Sequence, residues 1–255
     1  MTRVILAALA GVALLSGSAL AADLPPGPMT YKAPSAAVPV WSWTGFYLNA
    51  GGGYGIWDAN IATTSLAGAC LTCATQTVGG RGYFGTAGGG FDYQFTDHIV
   101  AGLLADYNFM SLKGTIEDNV APTTVGPLKE NSAWAAGARI GWLVTPQIFG
   151  YFNGGATGTR FGSSNLTLAT GGPAITTTPV FTKTGWFLGG GTETTLAPFL
   201  PSGWFLRSEY RYSYLSNSSV LQSTVAGAAI DIINFKPTVQ MLSTSIVYKF
   251  NWMGH

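Results

Sequence analysis

Eight charged residues carry the strongest chemical signal in this sequence, because of where each one stands. Asp92, Asp106, Glu193 and Glu209 are acids, and Arg139, Arg207, Arg211 and Lys249 are bases. Each falls on the polar parity of a stretch in which bulky apolar residues alternate with small or polar ones. The clearest case is 203–214, where Arg207, Glu209 and Arg211 share one parity and Trp204, Leu206, Tyr210 and Tyr212 share the other. In a pleated strand those two sets point to opposite faces. Four acids against four bases, with none on the apolar parities, read as an internal charge network that pairs across a closed lumen.

Other chemistry finds little support. Nucleophilic catalysis needs a nucleophile beside a general base. The two histidines are His98, at a short turn, and His255, the terminal residue, and there is no G-x-S-x-G elbow. No catalytic, cofactor or metal site is therefore expected. Cys70 and Cys73 form a CLTC motif. A zinc site would need two more ligands, and a redox site would need a strand-to-helix context. In an exported chain a short disulfide that staples a loop fits better. The Gly51–Gly53, Gly88–Gly90 and Gly189–Gly191 runs lie inside strand-like segments, without the helix start that a phosphate-cradling loop requires. They relieve crowding in a narrow, strongly coiled barrel.

The elements that must position the charges are eight segments of about 12 residues with a two-residue period. They are 44–57, 82–95, 98–110, 132–144, 147–160, 184–196, 203–214 and 238–252. Three connections are short: Thr96-Asp97, Thr145-Pro146 and the six residues APFLPS. The other four, 58–81, 111–131, 161–183 and 215–237, are long. Strict alternation of short and long connections predicts an all-β fold, an eight-stranded antiparallel transmembrane barrel of outer-membrane type. Its turns are short and periplasmic, and its loops are long and external. Trp41, Trp43, Phe46, Trp57, Phe95, Trp142, Trp204 and Trp252 lie near segment ends, as interfacial aromatic girdles would.

Composition agrees. Of 255 residues only 9% are charged, against roughly 25% in an ordinary soluble domain. Lys and Arg total 12 and Asp and Glu 11, so no basic stripe for nucleic acid is expected. A soluble barrel would need a charged outer wall. After the leader there is no apolar run long enough for a spanning helix. Residues 1–21 read as a secretory signal, with Arg3 ahead of the apolar Val4–Leu15 run and Ala19-Leu20-Ala21 before cleavage, leaving Ala22 first. Residues 22–43 hold five prolines and read as an extended periplasmic linker. The barrel then runs over 44–252, and 253–255 form a short tail.

Several stretches resemble the alphaproteobacterial outer-membrane immunogenic proteins, small porin-family β-barrels. They are the leader ending in Ala-Ala-Asp-Leu-Pro, the Trp-Thr-Gly-Phe-Tyr at 43–47, GLLADYNF at 102–109, Arg-Ile-Gly-Trp at 139–142, GWFLGGGTE at 185–193, Glu-Tyr-Arg-Tyr at 209–212 and the terminal Val-Tyr-Lys-Phe-Asn-Trp. The resemblance covers nearly all of the chain after the leader, the external loops least. It implies an integral barrel of the Gram-negative outer membrane that supports envelope integrity and is exposed to the outside. It also implies recognition of the C-terminal strand by the barrel-assembly machinery. The family commonly places an acid two positions before the Asp of its third strand, and here that place is Leu104.

The expected role is thus structural, with outer-membrane lipid and lipopolysaccharide as surroundings and the Pro-rich segment either touching peptidoglycan or serving only as a tether. One alternative is a narrow diffusion porin, since Gly51, Gly53, Gly88, Gly90 and Gly141 leave little on the inner face and Leu104 removes a charge. The other is a surface ligand binder, for haem or a host partner, acting through Thr-, Ser- and Gly-rich loops.

Overall fold

The structure is a computed structural model and describes residues 42–250, apart from 119, 121, 122 and 198 and the side chains of 73–75 and 218. The expected signal and tail, and the expected linker as far as residue 41, lie outside the described residues. All regular structure is β: β1 (Gly45–Ser65), β2 (Cys70–Gln94), β3 (Ile99–Asp118), β4 (Thr124–Thr145), β5 (Ile148–Phe161), β6 (Ser164–Leu168), β7 (Ala174–Thr178), β8 (Phe181–Thr195), β9 (Trp204–Leu215), β10 (Ser218–Thr224) and β11 (Ala229–Lys249).

Eight of these close a ring, β1-β2-β3-β4-β5-β8-β9-β11, and β11 returns to β1 with Leu48 opposite Tyr248. Closure leaves no unpaired edge, the condition for strands to cross lipid. The register fixes the geometry. From Leu48 the paired residues run through Gly89, Ala105, Ala136, Ala156, Trp186, Tyr214 and Thr238 back to Asp58, ten residues further along β1. Eight strands with that offset tilt by about 40° and enclose a barrel of roughly 8 Å backbone radius, from a rise of ~3.3 Å and a strand spacing of ~4.8 Å. Side chains fill a lumen of that width.

A second ring stands on the first. β1–β4 and β11 run on past the level where β5, β8 and β9 end. Their edges are taken over by β6, which pairs with β4 through Thr124↔Leu168, by β7, and by β10, which pairs with both β7 and β11. Much of the four stretches expected as external loops is therefore ladder. The reason lies in the side chains. Parity continues unbroken along β1, but its meaning inverts. Below, Phe46, Leu48, Tyr54 and Ile56 face outwards and are exposed; above, Ala59 and Ile61 face inwards and are buried while Asn60 faces water. The lower wall is apolar outside, and the upper wall is an ordinary water-facing barrel with an apolar inside. Trp57, Ile116, Leu128, Phe161, Leu166, Ile233 and Phe235 form that upper core. Trp57 meets Phe161 edge-on at 5.6 Å, at the level where the two regimes join.

Two of the expected girdle residues are corrected by this. Trp43 and Trp57 are 1% and 0% exposed and point into the lumen. Phe46, Phe95 and Trp142 do face outwards, and Trp204 is half-buried on the same parity. Tyr83, Trp134 and Trp186, near the starts of three expected segments, form an upper aromatic level that the expected girdle did not include. Trp41 and Trp252 lie outside the described residues. The outward apolar stretch between the two levels runs from nine residues on β4, from Trp134 to Trp142, to thirteen from Tyr83 to Phe95, or roughly 20–30 Å at this tilt.

Gly90 shows what the inner glycines do. A methyl group there would meet Tyr47 Oη at 2.5 Å and run into the Leu103 carbonyl oxygen. The space is occupied by the buried Tyr47 ring, not left as a gap. We expect Gly90→Val to displace that ring and destabilise the barrel by about 1–3 kcal/mol. A lowered urea midpoint for loss of the heat-modifiable compact gel band would register it, while Gly85→Ala, whose added methyl group would meet nothing nearer than 3.9 Å, should shift it less.

Candidate functional site

The interior of the lower ring is built from charges brought in by every wall strand except β1 and β5. Asp92 comes from β2, Asp106 from β3, Arg139 from β4, Glu193 from β8, Arg207, Glu209 and Arg211 from β9 and Lys249 from β11. β1 and β5 supply polar and aromatic groups at the same parity: Tyr47, Asn49, Tyr151 and Asn153.

The charges divide into two clusters. In the one nearer the short turns, the Arg139 guanidinium donates to Asp92 through Nε at 2.9 Å and Nη2 at 2.6 Å, and through Nη1 to Glu193. Arg207 donates from Nε to the same Glu193 oxygen at 2.8 Å. Lys249 Nζ reaches Asp92 at 2.7 Å and Glu193 at 3.0 Å. Three bases thus share two acids. The second cluster centres on Arg211, which donates to both Asp106 oxygens at 2.9 and 2.8 Å and to Glu209 at 2.7 Å. Tyr151 and Asn153 donate to the other Glu209 oxygen at 2.7 and 2.9 Å. Here one base faces two acids, so the surplus charges of the clusters cancel along the axis.

Aromatic faces complete the solvation that water would otherwise give. Arg139 lies 4.3 Å above the Tyr47 ring, Arg211 4.5 Å above Phe187 and Lys249 4.4 Å above Trp43. Such contacts strengthen when desolvated. Beneath the charges Trp43, Val100, Leu143, Phe149, Phe205 and Val247 close the periplasmic end. Leu104 leaves no hole: it is 8% exposed and packs with Ala135 and Phe187. A void of about 20 Å³ remains between the clusters, bordered by Asn49, Thr86, Asp106, Arg207, Glu209 and Ser245. It has room for about one water.

Tyr47 and Tyr151 were not singled out by the sequence, and Trp43 was expected in the outer girdle. The first two share the parity of Asn49 and Asn153, and that signal was available. The upper ring adds acids that also escaped notice because their segments read as loops. Glu130 is fully buried, and burial pushes its carboxyl up to about 8 against a smaller opposing pull from Thr159. Asp231 is raised to about 6, by burial and by the nearby charge of Asp118. Cys70 opens β2 and is disulfide-bonded; the side chain of Cys73 lies outside the described residues. His98 sits in the short turn between β2 and β3, and His255 lies outside the described residues. Among the described residues no group of three or more His, Cys, Asp or Glu could hold a metal.

No family model matches the chain. It is similar to the 31 kDa outer-membrane immunogenic protein of Brucella melitensis biotype 1, with 29% identity over 226 residues, 87% of this chain and 90% of the relative. The protein of that name from Brucella suis biovar 1 matches with the same identity and coverage. Among solved structures, the outer membrane protein OprG of Pseudomonas aeruginosa matches over 81% of this chain and 98% of its own, with a TM-score of 0.53 and 12% identity, a likeness of fold. The resemblance drawn from the motifs holds, and the protein is a β-barrel of the Gram-negative outer membrane.

Two expectations follow from the buried charges. Arg139→Leu removes the two-point donor to Asp92, leaving only Lys249 on that carboxylate, and should cost about 3–5 kcal/mol, read as urea unfolding in lipid. Arg139→Lys, which lacks the planar fork, should fall between. Glu130 and Asp231 bind protons more tightly folded than unfolded, so their contribution is full below about pH 4 and is lost as pH rises through about 6 and then 8. Glu130→Gln should therefore raise stability above pH 8, by roughly 3–5 kcal/mol at most, and change it little near pH 4. Equal effects at both ends of the range would contradict this.

Proposed function

We propose that this outer-membrane β-barrel, similar to the outer-membrane immunogenic proteins, is a closed structural element of the envelope that carries a rigid extension on the outer surface. The carrying observation is the Arg139 cluster. Asp92, Arg139 and Glu193 meet on the axis with their side chains fully buried, and Arg207 and Lys249 join them nearly so. An eight-stranded barrel is just wide enough for side chains to fill. Here they do so twice over, first with ion pairs and then with the apolar core around Trp57. An ion on this path would have to break several buried charge pairs and then cross a packed hydrocarbon layer, which opposes the porin reading.

Planar bilayers test it. The purified barrel should give no steady unitary conductance in molar salt, and liposomes containing it should take up small sugars no faster than empty ones. Stable open steps, abolished by blocking the upper ring, would replace the structural reading with a pore.

A further inference from the structure

The outer wall carries an unpaired cationic arc at one level. Arg81 on β2 stands opposite Lys113 on β3, and Lys113 opposite Lys129 on β4. All three are exposed on the outer face with Tyr83, Phe109 and Trp134, the irregularity between Glu130 and Ser132 keeping Lys129 on the same side as Trp134. Arg160, outward at the top of β5 beside Ser132, extends the arc. Directly opposed residues lie about 4.5–5.5 Å apart between Cα atoms, and like charges so placed destabilise a sheet. Among the described residues no acid forms an ion pair with any of the four. Asp58 on β1, a diagonal neighbour of Arg81, is the acid nearest in register, and it too forms none.

The level is the informative part. Arg81 precedes Tyr83 by two residues, and Lys129 lies just above Trp134. The arc therefore sits at the upper rim of the apolar band, where the inside-out wall gives way to the water-facing one. Lys236 occupies the same rim on β11, two strands from Arg81 across β1, 5.7 Å from the Tyr214 ring and opposite Asn60. The long-strand end of the barrel is the external one, so this rim meets the outer leaflet. Its headgroups are phosphorylated glycolipid.

We propose that Arg81, Lys113, Lys129 and Arg160 form a binding face for the phosphates of outer-leaflet glycolipid, the lipid A portion of lipopolysaccharide. The acyl chains lie along the apolar wall below, against Tyr83, Phe109 and Trp134. The phosphates supply the counter-charge that the wall lacks. The face is independent of the closed lumen, since none of its residues points inwards.

The test uses the full mature barrel in phosphatidylcholine vesicles containing diphosphoryl lipid A, dephosphorylated lipid A, or neither with millimolar inorganic phosphate added. Retained lipid per protein and the temperature at which the compact gel band is lost are the readouts. Wild type should retain diphosphoryl lipid A and melt later with it. It should neither retain the dephosphorylated form nor be stabilised by inorganic phosphate to the same degree. Arg81→Gln, Lys113→Gln and Lys129→Gln together should lower retention about tenfold or more. Lys236→Gln should change it little. Lys113→Gln alone, removing the central charge, should give a several-fold loss and serves if the triple variant fails to assemble. Raised salt should weaken retention. Wild-type retention in the triple or central variant, equal retention of dephosphorylated lipid, or full substitution by inorganic phosphate would each overturn the assignment.

Discussion

Everything in the lower ring depends on keeping ionic groups out of hydrocarbon. A charge facing acyl chains at mid-depth costs about 2–4 kcal/mol for Arg or Lys, and the sheet offers only one other direction. The four acids and four bases therefore converge on an axis whose backbone radius is roughly 8 Å. Once inside, they must satisfy one another, because little water can follow. Arg139 does this by bridging β2 and β8 from β4. The same contact makes distant parts of the wall mutually dependent: the hydrogen-bond ladder joins neighbours, whereas Arg139 joins strands that never touch. A single guanidinium thus serves as both plug and cross-tie.

Above the membrane that constraint disappears, and β1 changes its rules without changing its parity. Strands β6, β7 and β10 are short, and none could cross a bilayer. They succeed because β4 and β11 offer free upper edges, and because a water-facing barrel needs only a packed interior. The changeover is why eleven strands produce two eight-membered rings sharing five strands. It also explains why the outward charges start abruptly at one height: below it lipid excludes them, above it water accepts them.

How much of this could be read in advance follows the same divide. The lower ring was legible because polarity contrast there is extreme; Arg207 against Leu206 admits one reading. Short turns such as Thr145-Pro146 then set the order. The upper ring was hidden because its short strands are rich in Ser and Thr, and its large inward residues such as Ile233 and Phe235 fall in stretches that read as connections. AITTT at 174–178 looks like a solvated connection until the edge of β10 is placed beside it. Glu130 shares the parity of Leu128, yet a lone acid in an assumed loop gave no reason to bury it. Trp57 and Trp43 were misplaced by nearness to strand ends. For Trp57, the parity of Asn49 decides the matter; Trp43 precedes the first strand, where no alternation guides the eye. Leu104 looked like a missing charge and turns out to be a packing residue.

The upward run of β1 from Trp57 to Ser65 lifts the hairpin tip roughly 20 Å clear of the lipid on a stiff, fully laddered wall. A molecule approaching the cell meets a small tower whose crown is assembled from several strand ends. An antibody against that crown would recognise an outline shared among residues far apart in the chain, and synthetic peptides copied from any one tip would present only a fragment of it.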